Sequence, residues 1–480
     1  MKKITISFLL AITLIFNAFS QEKTPAKEVA FYWGVATCAY QVEGAYQTDG
    51  KGESKWDFLT NKVGITQFTI GEKQTANVSI NMYDRSQYLK DIQLMKELGV
   101  NSYRMSLDWS RIIPDGTGVV NEKALAHYDL LFDDLLAAGI EPFVTIYHFD
   151  YPAALLQKGG WGNPEMKNWY LYYAKVVINR YGKKVKHFIT FNEPYIEFFL
   201  VENLLNSDPK KPLSKEQYMS QMQKAHSQLL ANAEIINYYH DAKLNGEIGL
   251  VLNLNPAAPW NANKKEDMDA AKLQEILIND IFLDPLYKGN YPKIVLDSLA
   301  KYNPSFKAKA EEMAFIKANK PDFLGINFYA PAIVKGEDSP ISLKWMDNNP
   351  DEIKSNVGPV RPEYLYKIVM RLKNEYGNPK MYITENGTGF VSEDVKVNGK
   401  INDPMRVDYI KRHIDATLKA KKEGANLHGY MVWSGWDNFE WVSGYTKRLG
   451  LIYVDFATQE RTPKQSFYEY QKIIKTHKGL

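Results

Sequence analysis

The feature that most constrains this chain is an alternation. After residue 30, short apolar or β-branched runs take turns with longer runs of helical period. Eight stretches read as strands: Phe31–Tyr40, Asn101–Leu107, Pro142–His148, Lys186–Phe191, Glu247–Leu254, Asp322–Tyr329, Lys380–Thr384 and Leu427–Trp433. Between and after them, helices are expected over Tyr83–Leu98, Glu122–Ala138, Pro164–Arg180, Lys215–Tyr239, Glu266–Asn279, Pro362–Glu375, Pro404–Glu423 and Pro463–Ile474. Leu94, Met95 and Leu98 recur at helical spacing before Gly99, and Leu131, Leu135 and Leu136 do so before Gly139. A glycine there ends a helix because it tolerates the left-handed conformation of the C-terminal cap. Strands that alternate with helices form a parallel sheet, since parallel neighbours need a crossover. Eight such units fit an α/β fold with a single (β/α)8 barrel and long βα loops. A doubly wound open sheet is the alternative, but no Gly-x-Gly-x-x-Gly turn follows the first strand.

The N-terminus reads as a targeting segment. Lys2 and Lys3 precede an apolar run from Ile4 to Phe16, and Ala18-Phe19-Ser20 offers small residues at a cleavage site. The expected organisation is a signal peptide over 1–20, a leader over 21–30 and one catalytic domain over 31–480. The expectation is export to the periplasm or the medium after cleavage near Ser20, with no stable membrane insertion once processed. One cysteine, Cys38, excludes an internal disulfide. A net charge of +3 without a basic stripe gives no footprint for nucleic acid.

The chemistry lies in how the strands end. The third ends Tyr147-His148, the fourth Asn192-Glu193-Pro194, the sixth Asn327-Phe328-Tyr329, the seventh Thr384-Glu385-Asn386-Gly387, and the eighth Val432-Trp433 with Glu440-Trp441 beyond. In a barrel these ends share the face where active sites are built. Two glutamates there, from strands four and seven, suit glycoside hydrolysis, in which one carboxyl donates a proton and the other attacks or activates water. About 5 Å between them gives retention and a wider gap inversion. No metal site is expected: the eight histidines are scattered, with no His-Glu-x-x-His or Cys-x-x-Cys pair. No Gly-x-Ser-x-Gly elbow marks a serine hydrolase. No cofactor is expected, and the partner is a small β-glycoside or oligosaccharide.

These residues resemble family 1 of the glycoside hydrolases, the retaining β-glucosidase and β-galactosidase group, over residues 31–475. The resemblance rests on Thr190-Phe191-Asn192-Glu193-Pro194 and Ile383-Thr384-Glu385-Asn386-Gly387. It is carried further by Trp33–Thr37 with Tyr40–Gly44, and by Asp437–Trp441 with Gly444-Tyr445. It implies Glu193 as acid/base and Glu385 as nucleophile. It implies that Gln41, His148, Asn192, Glu440 and Trp441 bind the glycone hydroxyls and that Trp433 is a stacking floor. Tyr329, counted with the substrate-binding groups, would hold the nucleophile together with Arg104, and Asn327 would lie beside them.

A carboxylate at Glu440 suits free 4- and 6-hydroxyls and repels a 6-phosphate, and the Ser-x-Lys-x-Tyr pattern expected of phospho-glycosidases is absent. Four stretches depart from the family pattern: the segment after Pro194, through Phe198-Phe199 to Pro212, then Phe149, Gly358-Pro359 and Ser434-Gly435-Trp436. They are expected to border the entrance, with Trp436 either a stacking platform or a packing residue. A non-catalytic binding protein on a degenerate barrel would be expected to lack one of the two glutamates, and both are present.

Overall fold

The computed structural model describes residues 31–201, 213–336 and 354–480. The expected signal peptide and leader lie outside the described residues, as does most of the segment between Phe198 and Pro212. Eight parallel strands close on themselves: β1 Tyr32–Ala36, β2 Ser102–Ser106, β3 Glu141–Tyr147, β4 His187–Asn192, β5 Glu247–Asn253, β6 Phe323–Asn327, β7 Lys380–Asn386 and β8 Leu427–Trp433. Each pairs with its chain neighbours. Closure comes from β1, where Val35 faces Val432 of β8 on one side and Tyr103 of β2 on the other.

Period-two alternation divides the barrel into inside and outside. Tyr32, Phe143, Ile189, Val251, Phe323, Tyr382 and Met431, from seven strands, form one enclosed cluster. Their sequence neighbours, such as Val144, Phe188, Leu250, Leu324, Ile383 and Val432, join the larger core shared with the helices. Rings of this size fit inside because small residues face them. A Cβ on Gly249 would lie 2.3 Å from the Phe323 ring, and one on Gly325 would lie 2.4 Å from Val251 Cγ2.

The outer layer follows the expected periodicity. Helix α1 (Arg85–Leu98) starts where the Asp84 side chain accepts the Ser86 amide at 2.7 Å and stops at Gly99, φ +85°. It buries Ile92, Met95 and Leu98, while Leu94 is only partly covered. Helices α2 (Glu122–Ala137), α3 (Met166–Tyr181) and α4 (Lys215–Asp241) follow, the last with a Ser214/Gln217 capping box. The helix expected over Glu266–Asn279 is α5 (Lys265–Glu275), which runs through a wide turn into α6 (Ile281–Tyr287). Two short helices, α7 (Lys293–Tyr302) and α8 (Ala310–Ala318), lie outside the expected set. Then come α9 (Pro362–Glu375), α10 (Pro404–Lys422) and α11 (Gln465–Thr476). From α11 the Tyr470 hydroxyl reaches Gly34 O at 3.0 Å and Tyr430 O at 3.2 Å, across the β1–β8 seam.

The first strand is shorter than expected. The Ala39 amide donates to Ser106 Oγ at 2.8 Å, and the chain turns into a helical loop at Ala39–Val42. Among the described residues no helix is long and apolar enough to cross a membrane.

Gly249→Ala tests the interior packing. Overpacking costs about 1–3 kcal/mol, so thermal melting should show a clear drop in midpoint, while the protein still folded should keep its KM.

Candidate active site

At the C-terminal ends of the strands lies a cavity of about 340 Å³. Local backbone features aim the two glutamates at it. The β4–β5 register shifts between Ile189 and Asn192. Ile189 packs inside the barrel, Thr190 bonds Asn232 of α4 at 2.7 Å, and Phe191 packs on Tyr170 of α3. Two successive residues thus face the helices, and the bulge lets Asn192 turn back inward. The β6–β7 register shifts in the same way between Ile383 and Glu385. Glu193 (φ 46°), Phe149 (φ 70°) and Trp441 (φ 46°) all hold left-handed backbone, rare for such side chains, and all line the cavity.

The Thr-Glu-Asn-Gly run of β7 has a separate task for each residue. Thr384 Oγ1 donates to Asn327 Oδ1 at 2.8 Å, which turns the Asn327 amide nitrogen toward Glu193 Oε1 (2.7 Å) and Asn192 Oδ1 (3.1 Å). Glu385 faces the cavity. Asn386 points outward to Phe328 O and the Tyr409 and Tyr430 hydroxyls. At Gly387 a Cβ would lie 1.7 Å from Trp433 O, so no other residue fits.

Arg104 is fully buried on β2. One end of its guanidinium pairs with Glu385 Oε1 and the other donates to Asn192 Oδ1 at 2.6 Å. The Tyr329 hydroxyl donates to Glu385 Oε2. Two donors on Asn192 Oδ1 fix that amide, so its nitrogen faces His148 Nε2 at 3.1 Å. His148 therefore accepts there, and burial beside Arg104 holds it neutral, well below its usual range. Rings of Trp433, His148 and Trp441 stack at 6.0 and 5.9 Å to form one wall.

The carboxyls differ in environment. Burial and then the Glu385 charge push Glu193 up to about 8, against the Asn327 and Arg104 contacts. Burial also raises Glu385, opposed by the charge of Arg104 and the hydrogen bond from Tyr329. When the pair holds one proton, it sits on Glu193, because a cation and a phenol are already committed to Glu385. Enclosure raises Glu440 to about 7, with Lys447 pulling the other way.

Glu193, Glu385, His148, Asn192, Tyr329, Trp433, Glu440 and Trp441 all line the cavity. Arg104 and Asn327 stand behind it, as expected of supporting groups. Gln41, expected on the wall, also stands behind it. Its Nε2 reaches Phe439 O (2.7 Å), Asn438 Oδ1 (3.1 Å) and Glu440 Oε2 (3.1 Å), and its Oε1 accepts the Cys38 thiol. The helical turn after β1 places it there. Trp436 is a packing residue: it is fully buried, with its ring edge-on to Tyr103. Of the other departures, Phe149 borders the cavity, as do Ile196 and Val201 of the segment after Pro194 and Val357 just before Gly358-Pro359, whereas Phe198 and Phe199 are core.

Several lining residues escaped sequence reasoning. Asn253 and Asn255 end β5 in the same polar manner as the other strands, so the signal was present. Trp56 and Asn356 lie on loops that carry no such mark. Lys447 lines the cavity, whereas its neighbour Arg448 turns away to Asp437 at 2.9 Å. Among the described residues no group of His, Cys, Asp and Glu could hold a metal ion.

The profile described as Glycosyl hydrolase family 1 matches residues 24–479. The chain belongs to glycosyl hydrolase family 1. It is 39% identical to β-glucosidase A of Thermotoga maritima over 93% of this chain and 97% of that one. It is also 37% identical to a 6-phospho-β-galactosidase of Clostridium acetobutylicum, over 92% and 96% of the two chains. Among solved structures, the T. maritima β-glucosidase in complex with glucoimidazole matches with a TM-score of 0.84 at 38% identity, covering 93% of this chain and 98% of that one. The protein is a glycosidase on a (β/α)8 barrel, with a small-molecule sugar as substrate.

The charge arrangement gives a pH expectation. Arg104 favours ionised Glu385, so Arg104→Gln should move the acidic limb of kcat/KM on 4-nitrophenyl β-D-glucoside to higher pH. Loss of a preorganised donor should also lower kcat by roughly 10²-fold or more. A profile with an unmoved acidic limb would show that Arg104 does not hold the Glu385 charge.

Proposed function

We propose that this family 1 enzyme is a retaining exo-β-glycosidase, a β-glucosidase by preference, with Glu385 as nucleophile and Glu193 as acid/base. The observation that carries this reading is the division of the proton between the two carboxyls. Burial and the neighbouring Glu385 charge favour the proton on Glu193, while the Arg104 guanidinium and the Tyr329 hydroxyl are both committed to Glu385. A Glu385 oxygen attacks the anomeric carbon as the glycosidic C–O bond breaks and the Glu193 proton passes to the leaving oxygen. Water then attacks the glycosyl-enzyme, giving its proton to Glu193 and releasing Glu385. The Asn327 amide donates to Glu193 Oε1 at 2.7 Å, and Asn327 is the cross-strand partner of Glu385, which supports the short separation of retaining enzymes.

Glycone recognition falls to Glu440, His148 and Asn192 over the Trp433 ring, with Gln41 steadying Glu440 from behind. Such bonds accelerate the reaction where they tighten on the flattened, oxocarbenium-like ring. An acidic side chain at Glu440 hydrogen-bonds free hydroxyls and, in its ionised form, repels a 6-phosphate, which supports the unphosphorylated glycoside even with Lys447 nearby. Also in the lining, Asn255 Oδ1 and Asn356 Nδ2 are buried without a partner among the described residues. Two such amide atoms support a hydroxylated leaving group, as in short β-linked oligosaccharides.

Hydrolysis of 4-nitrophenyl β-D-glucoside, followed by NMR, should release β-glucose first, and its 6-phosphate should be the poorer substrate. Release of α-glucose would refute retention. Preference for the phosphorylated glycoside would refute the reading of Glu440. Glu385→Ala should lose activity and recover part of it with azide. Glu193→Ala should lose the basic limb near pH 8 and slow poor leaving groups by roughly 10²–10⁴-fold, with much less effect on 2,4-dinitrophenyl glucoside.

A further inference from the structure

Four βα loops build one apolar wall beside the glutamates. Trp56 comes from the loop after β1, Phe149 from that after β3, Val201 from that after β4 and Phe439 from that after β8. Beneath this wall lies an ion pair with no access to water: Lys55 Nζ and Glu197 Oε1 both belong to side chains at 0% exposure. We propose that Lys55 and Glu197 are positioning residues that fix the approach of Glu193 to the leaving-group oxygen. The proposal rests on the reading of Glu193 as the acid.

Glu197 lies one turn beyond Glu193, and its amide bonds to Glu193 O at 3.3 Å. Its second oxygen accepts the Tyr147 hydroxyl at 2.7 Å, on the residue before His148. Lys55 precedes Trp56, its amide bonds to Tyr151 O at 2.8 Å, and its ammonium sits 4.7 Å from the centre of the Tyr151 ring. One pair thus joins the loops that carry Glu193, His148 and Trp56. Each charge has its partner, so the geometry is directional. An apolar contact of the same volume would hold these loops together without fixing their register. Neither residue lines the cavity, so neither touches substrate. Acid catalysis depends steeply on placement, and a shift of about 1 Å can cost roughly 10²-fold.

The test compares leaving groups. In Glu197→Gln, kcat/KM should fall roughly tenfold to a hundredfold on methyl β-D-glucoside and cellobiose, which need the proton. On 2,4-dinitrophenyl glucoside it should change by less than about threefold, because that group leaves unaided. The single variant strands a buried charge and can fail to fold. The double variant Lys55→Met/Glu197→Met removes both charges and should melt near the wild-type temperature while keeping the same split between substrates. Equal losses on both substrates would make the pair mere scaffolding, and a double variant indistinguishable from wild type would overturn the proposal outright. Glu193→Ala serves as the reference. If it shows no dependence on leaving group, the acid assignment has failed. If it does and the Lys55 and Glu197 variants do not, only this inference has failed.

Discussion

A guanidinium shut away from water governs the mouth of this barrel. Arg104 gives one end to Glu385 and the other to Asn192, and it has no exposed surface. Burying such a charge is costly unless every partner is in place. The surrounding order follows from meeting that demand at the two terminal nitrogens, while Nε is buried without a partner among the described residues. The Asn192 oxygen is taken, so its nitrogen turns to His148, and His148 stays neutral under the influence of the same charge. The proton shared by the glutamates settles on the one farther from compensation. One buried cation thus sets an amide orientation and, together with burial, keeps an imidazole neutral; in the proposed mechanism it also divides the labour between two chemically identical side chains.

The backbone accommodates this arrangement where the fold is least regular. Regular pleating would send every second residue of β4 and β7 to the helices. Register shifts just before Asn192 and Glu385 break that rhythm, and left-handed backbone at Glu193, Phe149 and Trp441 redirects the chain at the rim. Deviations of this kind persist only where the packing around them is rigid. Here the rigidity comes from aromatic rings inside the barrel and from glycines that let them in.

Much of this was legible in the sequence, for identifiable reasons. The eight strands could be read because each is a short, largely buried run, apolar or β-branched for the most part, set between helical periods. Glu193 and Glu385 could be read because a strand that ends in a carboxylate is conspicuous. Helices α7 and α8 were missed because they are short and sit between β5 and β6, where the reading expected one crossover helix. Gln41 sits on the helical turn at Ala39–Val42, which strand periodicity does not reveal, and there its amide holds Glu440 Oε2 at the cavity. Trp436 could not be assigned, because an aromatic beside a signature looks the same whether it faces a cavity or a core. Lys55 and Glu197, 142 positions apart, belong to no motif in the sequence; only folding brings them together.

The seam between β1 and β8 bears on the order in which the chain can mature. The ribosome delivers Tyr32–Ala36 early, yet its partner on one side, Gly429–Trp433, emerges roughly 400 residues later. Until then the first strand can pair with β2 but presents an open edge on its other side, the kind of edge that recruits foreign strands. Tyr470, whose hydroxyl spans that seam, arrives later still. The barrel is therefore completed only at the end of synthesis, and the nascent chain needs its exposed edge shielded for nearly the whole of translation.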